Sequence, residues 1–267
     1  MHFETSGVDV FPLVPVVVGF VIATLTTPAG VSGAFLLLPF QVSVLGFVTP
    51  SVTATNLLYN VISTPGGITR YRSQGDLDGR LVRSIVTGAV PGVVVGTILR
   101  VTVFADPGDF KAFVGVVLLL LGLNLVIQAL RRPTIQPYVV ERFSRWRVAL
   151  LALVAGTVGG IYGVSGGSII APVLAGVFGL AVRRVAPAAL LATFITSVAG
   201  VTSFVVIDAV NGTAARPDWM LALLFGIGGV LGGTVGASVS RRVPERGLRL
   251  LLGVLGLTLG AIYILDA

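Results

Sequence analysis

Cysteine is absent from the 267 residues, histidine occurs once, at His2, and lysine once, at Lys111. Without thiolates or imidazoles, disulfides and thiol chemistry are excluded, and zinc, haem and iron–sulfur sites lose their usual ligands. No metal and no cofactor is therefore expected. Charge is also scarce, since Asp, Glu, Lys and Arg make up 11% of the chain against ~25% in soluble domains, too little to cover a surface that faces water. No carboxylate falls in the core of an apolar run; they lie in tails and loops, with Asp208 at a helix end the closest. A proton relay through a buried side-chain carboxylate, common in coupled carriers, has no residue to use.

Apolar residues, by contrast, form 55% of the chain, and there are 35 glycines, with a mean hydropathy of +1.00. The runs are long and unbroken, as from Phe113 to Leu130, whereas transmembrane barrels read as short alternating segments. An all-α integral membrane protein follows, in which glycine lets helix backbones approach closely. The formal charge of +7 comes from arginines clustered in short loops, which is how membrane proteins fix their orientation, so nucleic acid is not an expected partner. Glu4 and Asp9 stand where a signal peptide would be basic, and no cleavable signal is expected.

Ten apolar runs divide five and five, at about 11–27, 33–48, 52–69, 81–104 and 111–130, then 148–162, 167–182, 187–209, 219–240 and 248–265. Gly30-Val31-Ser32-Gly33 recurs as Gly163-Val164-Ser165-Gly166, and the same displacement of 133 places Pro39 on Pro172. Pro50 falls on Pro187, Ala54-Thr55 on Ala192-Thr193, Gly92 and Gly96 on Gly232 and Gly236, and Gly115 and Gly122 on Gly253 and Gly260. The chain therefore reads as two repeats in one membrane domain, 1–133 and 134–267, joined near Pro133 to Pro137. Basic loops surround Arg70 to Arg83, fill Arg131 to Arg147 and precede the last run at Arg241 to Arg249, whereas both termini, Ala105 to Lys111 and Asp208 to Asp218 are acidic or nearly neutral. Positive charge marks the cytoplasmic side, so equivalent loops lie on opposite sides and both termini lie outside. Two inverted-topology repeats, each a short broken helical hairpin plus three transmembrane helices, are the expected fold, and secondary transporters of that build bind substrate near the midplane.

The first two runs of each half are short and interrupted, by Thr26 to Gly33 and by Gly159 to Gly167. Backbone left unpaired at membrane depth must be buried in protein or line a cavity, and a helix beginning there directs N–H groups and partial positive charge into it. An anion is the natural ligand. Gly30, Ser32 and Gly33 of the first tip and Gly163, Ser165, Gly166 and Gly167 of the second are the candidate binding residues, the serines either capping the new helix or donating to the ligand. Thr53, Asn56 and Asn60 share one face of the third helix, and Thr193, Thr196 and Ser197 one face of its counterpart. Those faces can complete an anion cage or hydrogen-bond between helices. Gly88, Gly92 and Gly96, and Gly228, Gly232 and Gly236, recur every fourth residue as packing stripes. Gly163-Val164-Ser165-Gly166-Gly167 also fits hydrolase patterns, including those of intramembrane proteases, but a serine nucleophile needs a base. With His2 in a tail and Lys111 in a loop, none is within reach, and an enzyme is not expected.

The duplicated Gly-Val-Ser-Gly hairpin with its following proline, the Ala-Thr-x-Leu/Ile start of the third helix (Thr55 and Asn56, Thr193), and the loop Tyr71-Arg72-Ser73-Gln74-Gly75-Asp76-Leu77-Asp78 together resemble the sulfite exporter TauE/SafE family of membrane permeases. The resemblance covers nearly the whole chain and departs from the glycine-rich pattern at Ala34, where the second half has Gly167. It implies export of a small sulfur-containing anion, sulfite or an organosulfonate, across the cytoplasmic membrane. The partners that follow are that small anionic substrate, the lipid bilayer and, as an option, a second copy in a homodimer. An anion channel and a structural membrane protein without transport are the alternatives. Gly166→Leu is expected to block the anion's approach to the second tip while leaving the fold intact.

Orientation is open to direct measurement, because any introduced cysteine is unique. Single cysteines at Ser73, Gln136 and Gly247 should react only with cytoplasmic thiol reagents, and those at Gly108 and Gly212 only with external ones; labelling of Ser73 and Gly212 from the same side would refute the inverted arrangement.

Overall fold

The computed structural model describes residues 1–29, 31–68, 78–130, 145–176, 182–239 and 245–266. Gly30, the loop from Tyr71 to Leu77, the linker around Pro133 to Pro137 and arginines 70, 72, 131, 132, 142, 241 and 242 lie outside the described residues, as do Ser73 and Gln136. Each apolar run corresponds to a helix of ten or more residues. The first half supplies α1 (Leu13–Ala29), α2 (Ala34–Ser43), α3 (Pro50–Ser63), α4 (Gly79–Thr102) and α5 (Pro107–Leu130). The second supplies α6 (Arg145–Tyr162), α7 (Gly166–Gly176), α8 (Val182–Asn211), α9 (Trp219–Val239) and α10 (Glu245–Leu265). A small hairpin of β1 (His2–Phe3) and β2 (Val8–Asp9) precedes them.

Helix lengths separate two roles. Helices α4, α5, α8, α9 and α10 are long and apolar enough to cross a membrane. With 10 and 11 residues, α2 and α7 rise only ~15–17 Å, about half of a ~30 Å hydrocarbon core. The second helix of each hairpin, α1–α2 and α6–α7, is thus too short to cross by itself. The apolar residues left exposed form stripes, such as Val116, Leu120, Leu123 and Ile127 along α5, as expected of a helix with one face on protein and the other on lipid.

The dominant contacts join the two halves: α1 packs on α9 and α6 on α4, which are unlike positions, and α5 on α10, the fifth helix of each half. Glycine makes these approaches possible. A Cβ on Gly88, Gly92 or Gly96 of α4 would enter the backbone carbonyls of Ala149, Leu153 and Thr157 in α6. One on Gly228 or Gly232 of α9 would do the same at Val16 and Phe20 of α1, and one on Gly236 would stand 2.8 Å from the Thr24 carbonyl. Both stripes read from the sequence are thus used for backbone contact. Between α5 and α10 the arrangement is reciprocal, with Gly122 against Gly253 and Gly115 against Gly260.

The largest core cluster gathers Phe35 and Leu38 of α2, Phe110 and Leu118 of α5, Tyr162 of α6 and Phe225 of α9 around the first hairpin. At the end carrying the termini, Asp218 joins the elements. Its carboxylate caps α9 by accepting from Leu221 N–H (3.0 Å) and takes the Ser6 hydroxyl of the β-hairpin (2.7 Å). Asp208 does similar work there, accepting from Ala215 N–H (2.9 Å) and pairing with Arg216 at 2.7 Å.

Because α4 and α6 touch through backbone, Gly92→Leu should cost at least ~3 kcal/mol, the upper part of the overpacking range, and lower the thermal midpoint of the purified protein sharply. Gly79→Ala at the start of the same helix, where a Cβ meets nothing within 4 Å, should leave it unchanged.

Candidate substrate-binding site

The two tips are built differently. At the first, Ser32 caps α2: its hydroxyl oxygen accepts from Ala34 N–H (3.3 Å), while its carbonyl accepts from Phe35 N–H (3.1 Å). At the second, Gly163 and Ser165 take left-handed backbone conformations, with φ of +92° and +73°. For a serine that conformation costs of the order of 1–2 kcal/mol, a strain that functional sites often carry. The Ser165 hydroxyl is fully buried and meets no hydrogen-bond partner among the described residues. Of the two roles open to the serines, Ser32 performs the cap and Ser165 retains a free hydroxyl.

Helix α3 brings the tips together. Asn60 accepts the Ser32 hydroxyl at 3.0 Å through Oδ1 and donates through Nδ2 to the Gly163 and Val164 carbonyls, each at 3.4 Å. One turn earlier, Asn56 donates to the Ala34 carbonyl (3.1 Å), and Thr53 donates to the Ile161 carbonyl (3.0 Å). Tyr162 closes the link by donating its hydroxyl to the Phe35 carbonyl at 2.8 Å. The polar face of Thr53, Asn56 and Asn60 thus holds backbone of both hairpins, the interhelical role rather than an open cage. In the second half Thr193 meets Ser168 at 3.1 Å, Thr196 bonds within its own helix, and Ser197 is buried without a partner among the described residues.

Several expected residues sit elsewhere or act otherwise. Thr55 points away from the tips and accepts Asp218 N–H at 2.9 Å. The tip glycines make room for protein rather than for a ligand: a Cβ on Gly33 would strike the Tyr59 hydroxyl, one on Gly167 the Ala189 carbonyl, and one on Gly166 would stand 2.8 Å from Gly156 Cα. Gly166→Leu is therefore a folding lesion, not the silent block expected from the sequence.

A cavity of about 100 Å³ lies against both tips. Val31 and Ser32 of the first tip and Val164 and Ser168 of the second hairpin line it on one side, with Asn124 and Gln128 of α5 and Arg249 of α10 also in its wall. Most of the remaining wall is apolar, from Ala29 and Phe35 to Pro172 and Val185. Among the described residues expected to bind, Ser32 alone lines this wall; Gly33, Thr55, Asn56, Gly163, Ser165, Gly166, Gly167 and Thr193 do not. Val31, Val164 and Ser168, flanking the Gly-Val-Ser-Gly motif or within it, were one residue away from the positions chosen.

At the start of α3, against Thr53, stands a residue that the sequence reading passed over. Arg100 lies within an apolar run and is fully buried. Its Nε donates to Thr53 Oγ1 (3.2 Å), its terminal nitrogens to the carbonyls of Val48 (2.9 Å) and Phe104, and the guanidinium sits 3.7 Å over the Phe110 ring. No carboxylate pairs with it among the described residues. The signal was available, because a lone cation inside an apolar stretch is functional or structural by default.

Two hairpins, each with a short second helix, thus meet through α3 beside a small cavity. Residues 16–263 match the family model described as Sulfite exporter TauE/SafE. Among curated sequences, the chain is 23% identical over 273 residues to "Probable membrane transporter protein YunE" of Bacillus subtilis (strain 168), covering 94% of this chain and 96% of that one. It is 24% identical over 261 residues to "Probable membrane transporter protein YjnA" of the same organism, covering 92% and 96%. No solved structure gives a significant match. With the family model spanning nearly its full length, this multi-pass membrane transporter belongs to the sulfite exporter TauE/SafE family.

Proposed function

We propose that the transporter exports a small sulfur-containing anion, sulfite or an organosulfonate, across the cytoplasmic membrane, and that the anion binds where the two hairpin tips meet. The meeting of both tips at Asn60, beside the cavity, carries the reading. Each tip begins a helix, whose dipole leaves partial positive charge there, and the Ser165 hydroxyl, next to Val164 of the cavity wall, is a buried donor without a partner among the described residues. The family description supplies the sulfur chemistry.

The proposed architecture is two inverted repeats, 1–133 and 134–267, with both termini outside. Pairing supports it: α1 on α9 matches α6 on α4, and α5 on α10 matches itself under exchange of halves, which a two-fold axis in the membrane plane would produce. In this orientation Gln128 and Arg249, near the cytoplasmic ends of α5 and α10, put the cavity on the cytoplasmic side of the tips. On the outer side Arg100 and Phe110 are fully buried, which favours a carrier over a continuous pore.

Energy for export needs no coupled ion. An interior negative by 100 mV favours an outgoing monovalent anion by ~2.3 kcal/mol, about a fifty-fold gradient. The acidic residue nearest a helix end in the sequence, Asp208, is engaged with Arg216 and Ala215, a fastening rather than a relay.

Two outcomes are expected in proteoliposomes offered sulfite, sulfonates, sulfate and chloride. Val31→Trp, which fills the cavity from its wall, should reduce saturable sulfite flux to background, whereas Val17→Trp on the exposed face of α1 should not; normal flux through Val31→Trp would place the site elsewhere. Flux should also rise with an outward-driving potential and persist when the proton gradient is dissipated at constant potential. Asp208→Asn should lower the thermal midpoint without altering this voltage dependence.

A further inference from the structure

Arginines gather where α4 and α6 begin: Arg80 and Arg83 in the first two turns of α4, Arg145 and Arg147 in the first turn of α6. All of them are exposed. The ion pairs His2–Asp9 and Arg216–Asp208 involve other residues, and none of these four guanidinium groups has an acceptor among the described residues. Asp78, the neighbouring carboxylate, caps its own helix, accepting from the N–H groups of Arg80 (3.0 Å) and Leu81 (3.1 Å). Local electrostatics opposes this placement. A helix begins with partial positive charge, so Arg80, Arg145 and Arg147 stand where cations are disfavoured, and Arg80 and Arg83, three residues apart on one helix, repel each other. An anion among them would offset both effects.

The glycine seam brings the two pairs together. Gly88 meets Ala149, Gly92 meets Leu153 and Gly96 meets Thr157, a constant displacement of 61, so α4 and α6 run parallel and in register. Arg145 is then level with Ser84 and Arg147 with Val86, and all the cations lie within ~9 Å of helix rise. Each pair continues into a face turned to lipid: Thr87, Val95 and Ile98 follow Arg80 on α4, and Leu150 and Val154 follow Arg147 on α6, all exposed. Trp146, between the arginines of α6, is exposed as well, as tryptophans are at the boundary of hydrocarbon and headgroups. The seam between α1 and α9 has no such cluster. The displacement of 140 that places Gly92 on Gly232 also places Asp78 on Asp218, each the cap of its helix, but it places Arg80 on Met220 and Arg83 on Leu223, while the displacement of 133 places Trp146 and Arg147 on Leu13 and Val14. Those residues are exposed and apolar, so the fold does not call for cations where such a seam begins. Orientation depends on the count of positive charge on one side, to which arginines 70, 72, 131, 132 and 142 of the loops already contribute.

We propose that the start of the α4–α6 seam binds one anionic phospholipid, with its phosphate among Arg80, Arg83, Arg145 and Arg147 and its acyl chains along the exposed apolar faces below them. Guanidinium groups meet phosphate oxygens in paired, charge-assisted hydrogen bonds, and basic sites between transmembrane helices take anionic headgroups. A lipid fits this surface better than a dissolved phosphate does, because the cations lead directly into a face that hydrocarbon covers. The site is separate from the cavity at the tips and does not depend on the transport reading. Since α6 runs on to Tyr162 and Gly163, the lipid holds the start of the helix that carries the second tip.

The test uses the full chain purified in detergent and titrated with phosphatidylglycerol or with phosphatidylcholine of the same acyl chains, bound lipid being counted by native mass spectrometry. Phosphatidylglycerol should be retained more tightly than phosphatidylcholine and should raise the thermal midpoint, as a ligand of the folded state does. Arg80→Gln and Arg147→Gln should each weaken its retention about fivefold, the effect of one arginine at an anionic surface. Arg246→Gln, the same charge change at an exposed position on α10, should match the parent. Thermal midpoints identify folded variants, and Arg83→Gln or Arg145→Gln replaces a variant on its helix that does not fold. Equal retention of the two lipids by the parent overturns the site, as does parent-like retention in a folded variant of either helix. An equal loss in Arg246→Gln shows diffuse attraction to the surface, and glycerol phosphate binding as tightly as phosphatidylglycerol shows a site for a soluble anion; either result overturns the proposal.

Discussion

A polypeptide that stops halfway through a hydrocarbon layer must find hydrogen-bond partners for the backbone at its turning point, because lipid provides none. The hairpins α1–α2 and α6–α7 both face this requirement, and one face of α3 meets much of it for both. Thr53, Asn56 and Asn60 reach carbonyls of Ile161, Ala34, Gly163 and Val164, and Asn60 also takes the Ser32 hydroxyl. The position of the tips, and therefore of the cavity beside them, depends on this ladder of three polar side chains. A leucine at any rung would leave buried carbonyls without donors, each at a cost of ~1–3 kcal/mol.

Glycine contacts then set the frame around the ladder. With no side chains between α4 and α6, or between α1 and α9, the helix axes approach until backbone meets backbone, and dispersion and weak Cα–H contacts act over the whole stripe. Such contact suits lipid, where apolar side chains gain little by associating because the surrounding tails are equally apolar. Arg100 ties Thr53, at the start of α3, to the neighbouring loops through neutral acceptors. Burial of an unpaired guanidinium is costly, and the ring of Phe110 with two carbonyls and a hydroxyl offsets that cost.

Much of this was legible in the residues. Run lengths marked both hairpins as short, four-residue spacing marked the glycine stripes, and i, i+3, i+7 spacing put Thr53, Asn56 and Asn60 on one face. The same geometry accounts for Thr55: two residues from Thr53 it is turned by about 200°, which directs it to Asp218, although the Ala-Thr motif had suggested the site. Other features depend on tertiary distances that no spacing encodes. Gly33, Gly166 and Gly167 read equally well as room for a ligand or for a neighbouring helix, and only the proximity of Tyr59, Gly156 and Ala189 decides between them. Arg249 was indistinguishable from its loop neighbours until α10 carried it to the cavity wall, and Ser32 and Ser165 parted roles through a backbone twist at the second tip.

The crossed pairing of helices also bears on how the protein is made. The chain leaves the ribosome in order, yet α1 rests on α9, which begins at Trp219, and α4 rests on α6, which begins at Arg145. When the first five helices have been inserted, the glycine stripe of α4 and the face of α1 that receives the α9 stripe still lack their partners, and α3 holds a first tip whose counterpart has not been translated. Insertion and folding are consequently separate stages for this protein: the helices are placed one after another, but neither half reaches its final packing before the other is in the bilayer.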